Sequence, residues 1–108
     1  MNEMSKELGY IDKVFFGLND SGKCFNLKLE LRYGKTDSGV GYLSTYNKSI
    51  QFYDPDHPSD GNEFLIYLHD LMKDAKVSEL KNLVGVPVEV FVADGVLVNF
   101  RILKEVIR

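Results

Sequence analysis

The stretch FNLKLELRY, Phe25–Tyr33, decides how the rest of the chain is read. Phe25, Leu27, Leu29, Leu31 and Tyr33 alternate with Asn26, Lys28, Glu30 and Arg32. Strict period two is the pattern of a strand with one dry and one wet face, because successive side chains leave a strand on opposite sides. VGYLSTY, Val40–Tyr46, reads as a returning strand, and the intervening GKTDSG has the Gly, Asp and Ser content of a hairpin loop. Pairing Tyr33 with Val40 sets Leu31 against Tyr42 and Leu27 against Tyr46, with Gly41, Leu43 and Thr45 outside. A slip of one residue would turn both tyrosines outward.

The elements on either side follow from composition and spacing. Residues 1–8 are a polar arm, expected to be flexible, and YIDKVFFGL (Tyr10–Leu18) is a first strand with imperfect alternation at Phe15 and Phe16. YDPDHPSDGN is a loop leading into a helix, with Asp60 at the N-cap and Glu63 three residues on in a capping-box arrangement. Phe64, Leu65, Leu68, Leu71, Met72 and Ala75 make its apolar stripe; Glu63, Asp70, Lys73 and Asp74 take the other side. SELKNLVG predicts one further helical turn, capped by Ser78 and stopped by Gly85. VPVEVFVADGVLVNFRI predicts a hairpin. A two-residue Asp94-Gly95 turn would set Val88 against Arg101, so a three-residue loop, Ala93-Asp94-Gly95, is preferred, pairing Val92 with Val96, Val90 with Val98 and Val88 with Phe100. Pro87 then faces outward, which is better tolerated on an edge strand than in the sheet's centre. The order β-β-β-α-β-β predicts a β-rich α+β domain spanning 1–108: an OB-like five-stranded barrel, or alternatively a curved antiparallel sheet with the helix packed on one face.

The totals limit what such a domain does. Its 108 residues suffice for one core. The single cysteine, Cys24, forms no internal disulfide, and no apolar run reaches the length of a membrane span. With no signal-peptide pattern at the N-terminus, a cytoplasmic protein is expected, in the host cytoplasm if phage-encoded. The net charge is −3, but residues 51–80 alone carry −5. A nucleic-acid binder gathers bases on one surface to displace counterions from phosphate, and this chain has at most a weak cluster.

Two resemblances bear on function. The octet Gly34–Gly41, GKTDSGVG, resembles the Gly-Arg-Thr-Asp-x-Gly-Val-His motif of tRNA pseudouridine synthases, whose Asp maps onto Asp37. Lys stands for Arg and Gly for His, the likeness stops at the octet, and the loop is read as a turn. More of the chain resembles a group of small uncharacterised bacteriophage and prophage proteins. The likeness lies in Gly9-x-Ile11-x-x-Val14-x-Phe16-Gly17-Leu18, Gly39-Val40-Gly41, Leu71–Val77, Leu83–Val90 and Arg101-Ile102-Leu103-x-Glu105-Val106-Ile107. Tyr42 stands where that group has an acid. The resemblance implies a phage setting and carries no activity with it.

Candidate chemistry is sparse. Asp54, Asp56, His57 and Asp60 could be drawn as a hard-cation site, but their spacing fits no coordinating loop and suits a solvated turn, so no metal or cofactor is expected. His69 falls at the flank of the helix stripe, and Cys24 has no activating neighbour. The expectation is therefore a non-catalytic accessory protein acting by protein–protein binding, for instance inhibiting a nucleic-acid-processing factor, with Asp60, Glu63, Asp70 and Asp74 as the contact surface. The alternative is a single-stranded nucleic-acid module using Lys28, Arg32, Lys35, Leu43, Thr45 and Lys48 on the outer face of the second and third strands. That face would want aromatic platforms, and the expected register supplies none.

Overall fold

The computed structural model describes residues 4–18, 24–34, 41–51 and 61–107. Strands β1 (Met4–Leu18), β2 (Cys24–Tyr33), β3 (Tyr42–Gln51), β4 (Pro87–Ala93) and β5 (Val96–Ile102) form one antiparallel sheet in the order β3-β2-β1-β4-β5. Helix α1 (Gly61–Ala75) and a 3₁₀ turn at Leu80–Leu83 lie between β3 and β4 in the chain. The sheet curls into a half-barrel, bringing its two end strands together. The Tyr46 ring of β3 meets the Phe100 ring of β5 edge-on, with centroids 4.9 Å apart, and α1 touches both strands. The domain is thus β-rich α+β.

Strand β1 joins the two halves. Met4–Tyr10 pairs with β4, and Gly9–Leu18 pairs with β2, so only Gly9 and Tyr10 serve both neighbours. The segment read as a polar arm is therefore largely strand: β1 starts at Met4, not Tyr10. At the handover the backbones press close. A Cβ on Gly9 would run into the Arg32 carbonyl oxygen and lie 2.8 Å from Tyr33 Cβ. Two residues on, a bulge between Ile11 and Lys13 shifts the phase. Ile11 and Phe16, of unlike parity, can then both face inward. Phe16 stacks on Phe25 at 5.5 Å, while Phe15 is turned out. The imperfect alternation in YIDKVFFGL is this extra residue. Beyond the ladder, the Ile11 N–H donates to the Val86 carbonyl (3.0 Å) and Gly85 N–H donates to the Ile11 carbonyl (2.7 Å).

Strand β2 behaves as its pattern demands: Leu27, Leu29 and Leu31 are fully buried, each contributing roughly 1.5–3 kcal/mol by leaving water. The β2–β3 register differs from expectation. Tyr33 pairs with Tyr42, Leu29 with Tyr46 and Leu27 with Lys48, two residues away from the Tyr33–Val40 pairing. A shift of two preserves the side on which each residue lies, so the faces are as expected although the partners are not. Tyr46 packs on the core, whereas Tyr42, at the sheet's end, is 55% exposed.

The β4–β5 hairpin corrects a second expectation. Its turn is the two-residue Asp94-Gly95, with φ of 54° and 77°, and Ala93 pairs with Val96. Both positive φ values are those of a primed turn matched to strand twist. The objection that this turn would drive Arg101 into the core is removed by a bulge. The register jumps between Phe91–Asn99 and Val92–Leu97, leaving Val98 unmatched. Val90 then meets Phe100 and Val88 meets Ile102, all buried, while Arg101 pairs outside with Glu89 at 2.9 Å. Pro87 is not on an edge strand; it opens β4, an interior strand, at the one strand position where a missing N–H is easily tolerated.

Helix α1 buries Phe64, Leu71 and Ala75 and half-buries Tyr67 and Leu68. Leu65, expected in the stripe, is 64% exposed. It sits about 100° around the helix from Phe64, whereas Tyr67 turns towards β3. The 3₁₀ turn has Glu79, not Ser78, at its N-cap, with no side-chain cap bond; Gly85 follows it with φ 88°.

Candidate functional site

The convex face of β1, β2 and β3 carries the most distinctive chemistry among the described residues. Its rows follow from register. Leu43, Arg32, Tyr10 and Pro87 lie side by side across four strands. One row over come Thr45, Glu30 and Lys13; the next holds Asn47, Lys28 and Phe15. Lys28 and Arg32, four residues apart on β2, set the outer rows about 13 Å apart. Leu8, Tyr10, Phe15 and Leu43 are all exposed, Phe15 at 57%. Isolated exposed apolar groups are ordinary; here several share one sheet face, interleaved with charges.

The charges on this face are largely balanced. Arg32 lies 3.9 Å from Asp12, and Lys13 lies 4.0 Å from Glu30. Lys6 stands 6.0 Å from the Phe91 ring centroid on the β4 side, while Lys28 is exposed beside Phe15. Arg101 bridges Glu89 and Glu105, each at 2.9 Å. The bonds from Glu105 and then Glu89 hold its guanidinium above its ordinary pKa, and the Glu105 carboxyl is pulled below its own, chiefly by Arg101.

Of the sequence-predicted nucleic-acid residues, Lys28, Arg32, Leu43 and Thr45 come together on this face. Lys48 does not. It has the parity of Tyr46 and turns to the other side, its ammonium 4.7 Å from the Tyr67 ring centroid. Lys35 lies outside the described residues, as do Asp37, Asp54, Asp56, His57 and Asp60. Tyr10 and Phe15 were missed as part of the surface. The adjacent Phe15 and Phe16, which break the alternation, were the available signal, but only the bulged pairing of β1 with β2 sets Tyr10 beside Arg32 and Phe15 beside Lys28.

The acidic helix surface is more dispersed. Glu63 is exposed in the first turn of α1. Asp70 is held by His69 at 3.1 Å, and Asp74 lies 3.9 Å from Lys104. Between α1 and β5 runs a cleft of about 290 Å³ lined by Tyr67, Asp70, Asp74, Phe100, Arg101 and Lys104. Burial pushes the Tyr67 hydroxyl pKa well up, and neighbouring Tyr46 adds to the shift by charge and hydrogen bond. Among the described residues no three His, Cys, Asp or Glu side chains gather as a metal centre would need, and no helix is long and apolar enough to cross a membrane.

No protein-family model matches this chain, and no curated protein or solved structure matches it either.

Proposed function

We propose that the chain is a non-catalytic accessory protein that binds another protein through the convex face of β1, β2 and β3, in the phage or prophage setting its sequence resembles. One observation carries this: Leu8, Tyr10, Phe15 and Leu43 are exposed together among charges that already neutralise one another. Aromatic and aliphatic anchors among paired charges are what a protein interface desolvates profitably, with Tyr and Arg the usual contributors of binding energy. Phosphate, by contrast, needs cations free to replace its counterions, and Lys13 and Arg32 stand against carboxylates. The contact surface thus moves from the helix acids to the sheet. Glu63, Asp70 and Asp74 are left to steer a basic target at a distance.

A second reading has its own support. Tyr10 beside Arg32 and Phe15 beside Lys28 place an aromatic ring next to a cation in two outer rows, on either side of the Lys13–Glu30 row, and single-stranded bases stack on such rings. The half-barrel also invites an OB-like description. A first strand shared between second and fourth, and a helix over the gap between third and fifth, support that description, and the usual OB ligand face is this one.

One set of variants separates the two. Tyr10→Ser and Phe15→Ser should abolish stoichiometric co-purification of a protein partner, while Asp70→Ala with Asp74→Ala leaves it intact. Salt-sensitive oligonucleotide binding that Lys28→Glu removes would replace the first reading with the second. Partner binding unaffected by both serine variants would refute the sheet-face assignment.

A further inference from the structure

We infer that, while no target is bound, the convex face of β1, β2 and β3 is covered by a second copy of this chain, related by a two-fold axis that runs along the strands between β1 and β2. The inference rests on the reading of that face as a contact surface and adds what regulates it: self-association and target binding exclude one another.

The register carries the argument. Residues paired across two antiparallel strands lie side by side on one face, about 5 Å apart, and two sheets stack about 10 Å apart. A two-fold axis midway between β1 and β2, parallel to them and about 5 Å above the sheet, sends each β1 residue over the β2 residue it already pairs with. Lateral partners within one copy thereby become facing partners between copies. In the first row Tyr10 comes over Arg32 of the second copy, in the middle row Lys13 over Glu30, and in the third Phe15 over Lys28. Symmetry repeats each contact. The first row extends to the strands on either side, where Leu43 of β3 comes over Pro87 of β4. The bulge residue Asp12, 3.9 Å from Arg32, adds an anion near the guanidinium that arrives over Tyr10. Sheet twist tilts the strands of the two copies by about 30° without changing the partners close to the axis.

Charge selects this axis over its neighbours. Moved onto β2, the axis would set Glu30 against Glu30. Turned across the strands through the middle row, it would also set Lys13 against Lys13. The chosen axis instead centres the contact on Lys13–Glu30 ion pairs, with ring–cation contacts on both sides. The Lys13 side chain is 74% exposed and Tyr10 is 42% exposed, so both are open to a partner. Two convex surfaces touch only near the axis, so the contact is small and the dimer weak, with a dissociation constant of about 10–100 µM. Weakness suits the role: the second copy shields the exposed rings and yields to a target of higher affinity.

Sedimentation velocity on the intact protein from about 1 µM to 500 µM tests this. The native chain should pass from monomer to dimer over that range. Lys13→Glu and Glu30→Lys, each made alone, gather only like charges at the centre and should weaken association at least about tenfold. Mixed in equal amounts, the two variants should associate at least as tightly as the native chain, because each supplies the charge the other lacks. NMR shifts of the native chain that depend on its concentration should fall on Tyr10, Phe15 and Thr45 and spare Asp70 of α1, a readout that needs no variant to fold. A native chain monomeric at the highest concentration, single variants that dimerise as it does, a mixture that stays monomeric, or shifts centred on α1 would each overturn the inference. A monomer that loses its target on Tyr10→Ser would overturn it and leave the contact-face reading standing. A dimer with this charge signature whose target binding ignores Tyr10→Ser would support it and retire that reading.

Discussion

Two glycines in one strand should respond in opposite directions to the same change. Gly9 and Gly17 both lie in β1, yet a methyl group at Gly9 meets the Arg32 carbonyl oxygen and lies 2.8 Å and 2.9 Å from Tyr33 Cβ and Cα. At Gly17 the nearest atom outside its chain neighbours is 3.7 Å away, on the Phe15 ring, an ordinary contact. Alanine in place of glycine within a strand contributes about 0.5–1 kcal/mol through the unfolded chain's lost freedom. Overpacking costs about 1–3 kcal/mol, and the upper part applies when backbone rather than a flexible side-chain tip must move. Gly9→Ala should therefore destabilise by about 2 kcal/mol net, whereas Gly17→Ala should be neutral or stabilise by up to about 1 kcal/mol. For a domain of this size that separates the two melting temperatures by roughly 10 °C or more. Urea unfolding followed by far-ultraviolet circular dichroism reads the same difference as a displaced midpoint at unchanged slope. Equal midpoints for the two variants would mean that β1 does not pass close to β2 at Gly9, and the handover of β1 between its neighbours would fall with it.

Tyr67 should give an alkaline signature. Its folded pKa lies above the value of about 10 for a free tyrosine, so folding favours the protonated phenol; stability is full below pH 10 and is lost as pH rises beyond it. Urea midpoints measured from about pH 8 to 11 should fall more steeply for the native chain than for Tyr67→Phe, and parallel curves would remove burial as the cause. The seam between β3 and β5 should show coupling: a double-mutant cycle on Tyr46 and Phe100 is expected to return about 0.5–1.5 kcal/mol, and a value near zero would mean the edge-on contact does not hold the sheet's ends together.

Much of this was written in the chain at the level of faces rather than partners. Phe25–Tyr33 announces a one-sided strand, and Tyr46 keeps the side its parity demands. Alternation cannot distinguish a register from one shifted by two, because both bury the same residues; Tyr33 thus finds Tyr42 instead of Val40. Bulges are the other blind spot. The Asp94-Gly95 signal for a two-residue turn was sound, and it failed only when an unbroken ladder was extended past Val98. Lys48 was legible: counting by twos from Tyr46 puts it inside, and its four-carbon stem lets the ammonium reach the Tyr67 ring. Leu65 was not. Which flank of a helical stripe is covered depends on whether the helix lies on a sheet or, as here, across the gap between two end strands.

The double pairing of β1 also sets a timetable for biosynthesis. Its later half finds β2 within a few residues of emerging from the ribosome, whereas Met4–Tyr10 must wait for Pro87–Ala93, nearly the whole chain later. At translation speeds of about 5–20 residues per second that delay is roughly 4–15 s. Throughout it the leading segment offers unsatisfied amides to any passing peptide. A nascent protein built this way depends on prompt completion, and ribosome stalling before β4 would leave one edge of β1 unpaired for longer.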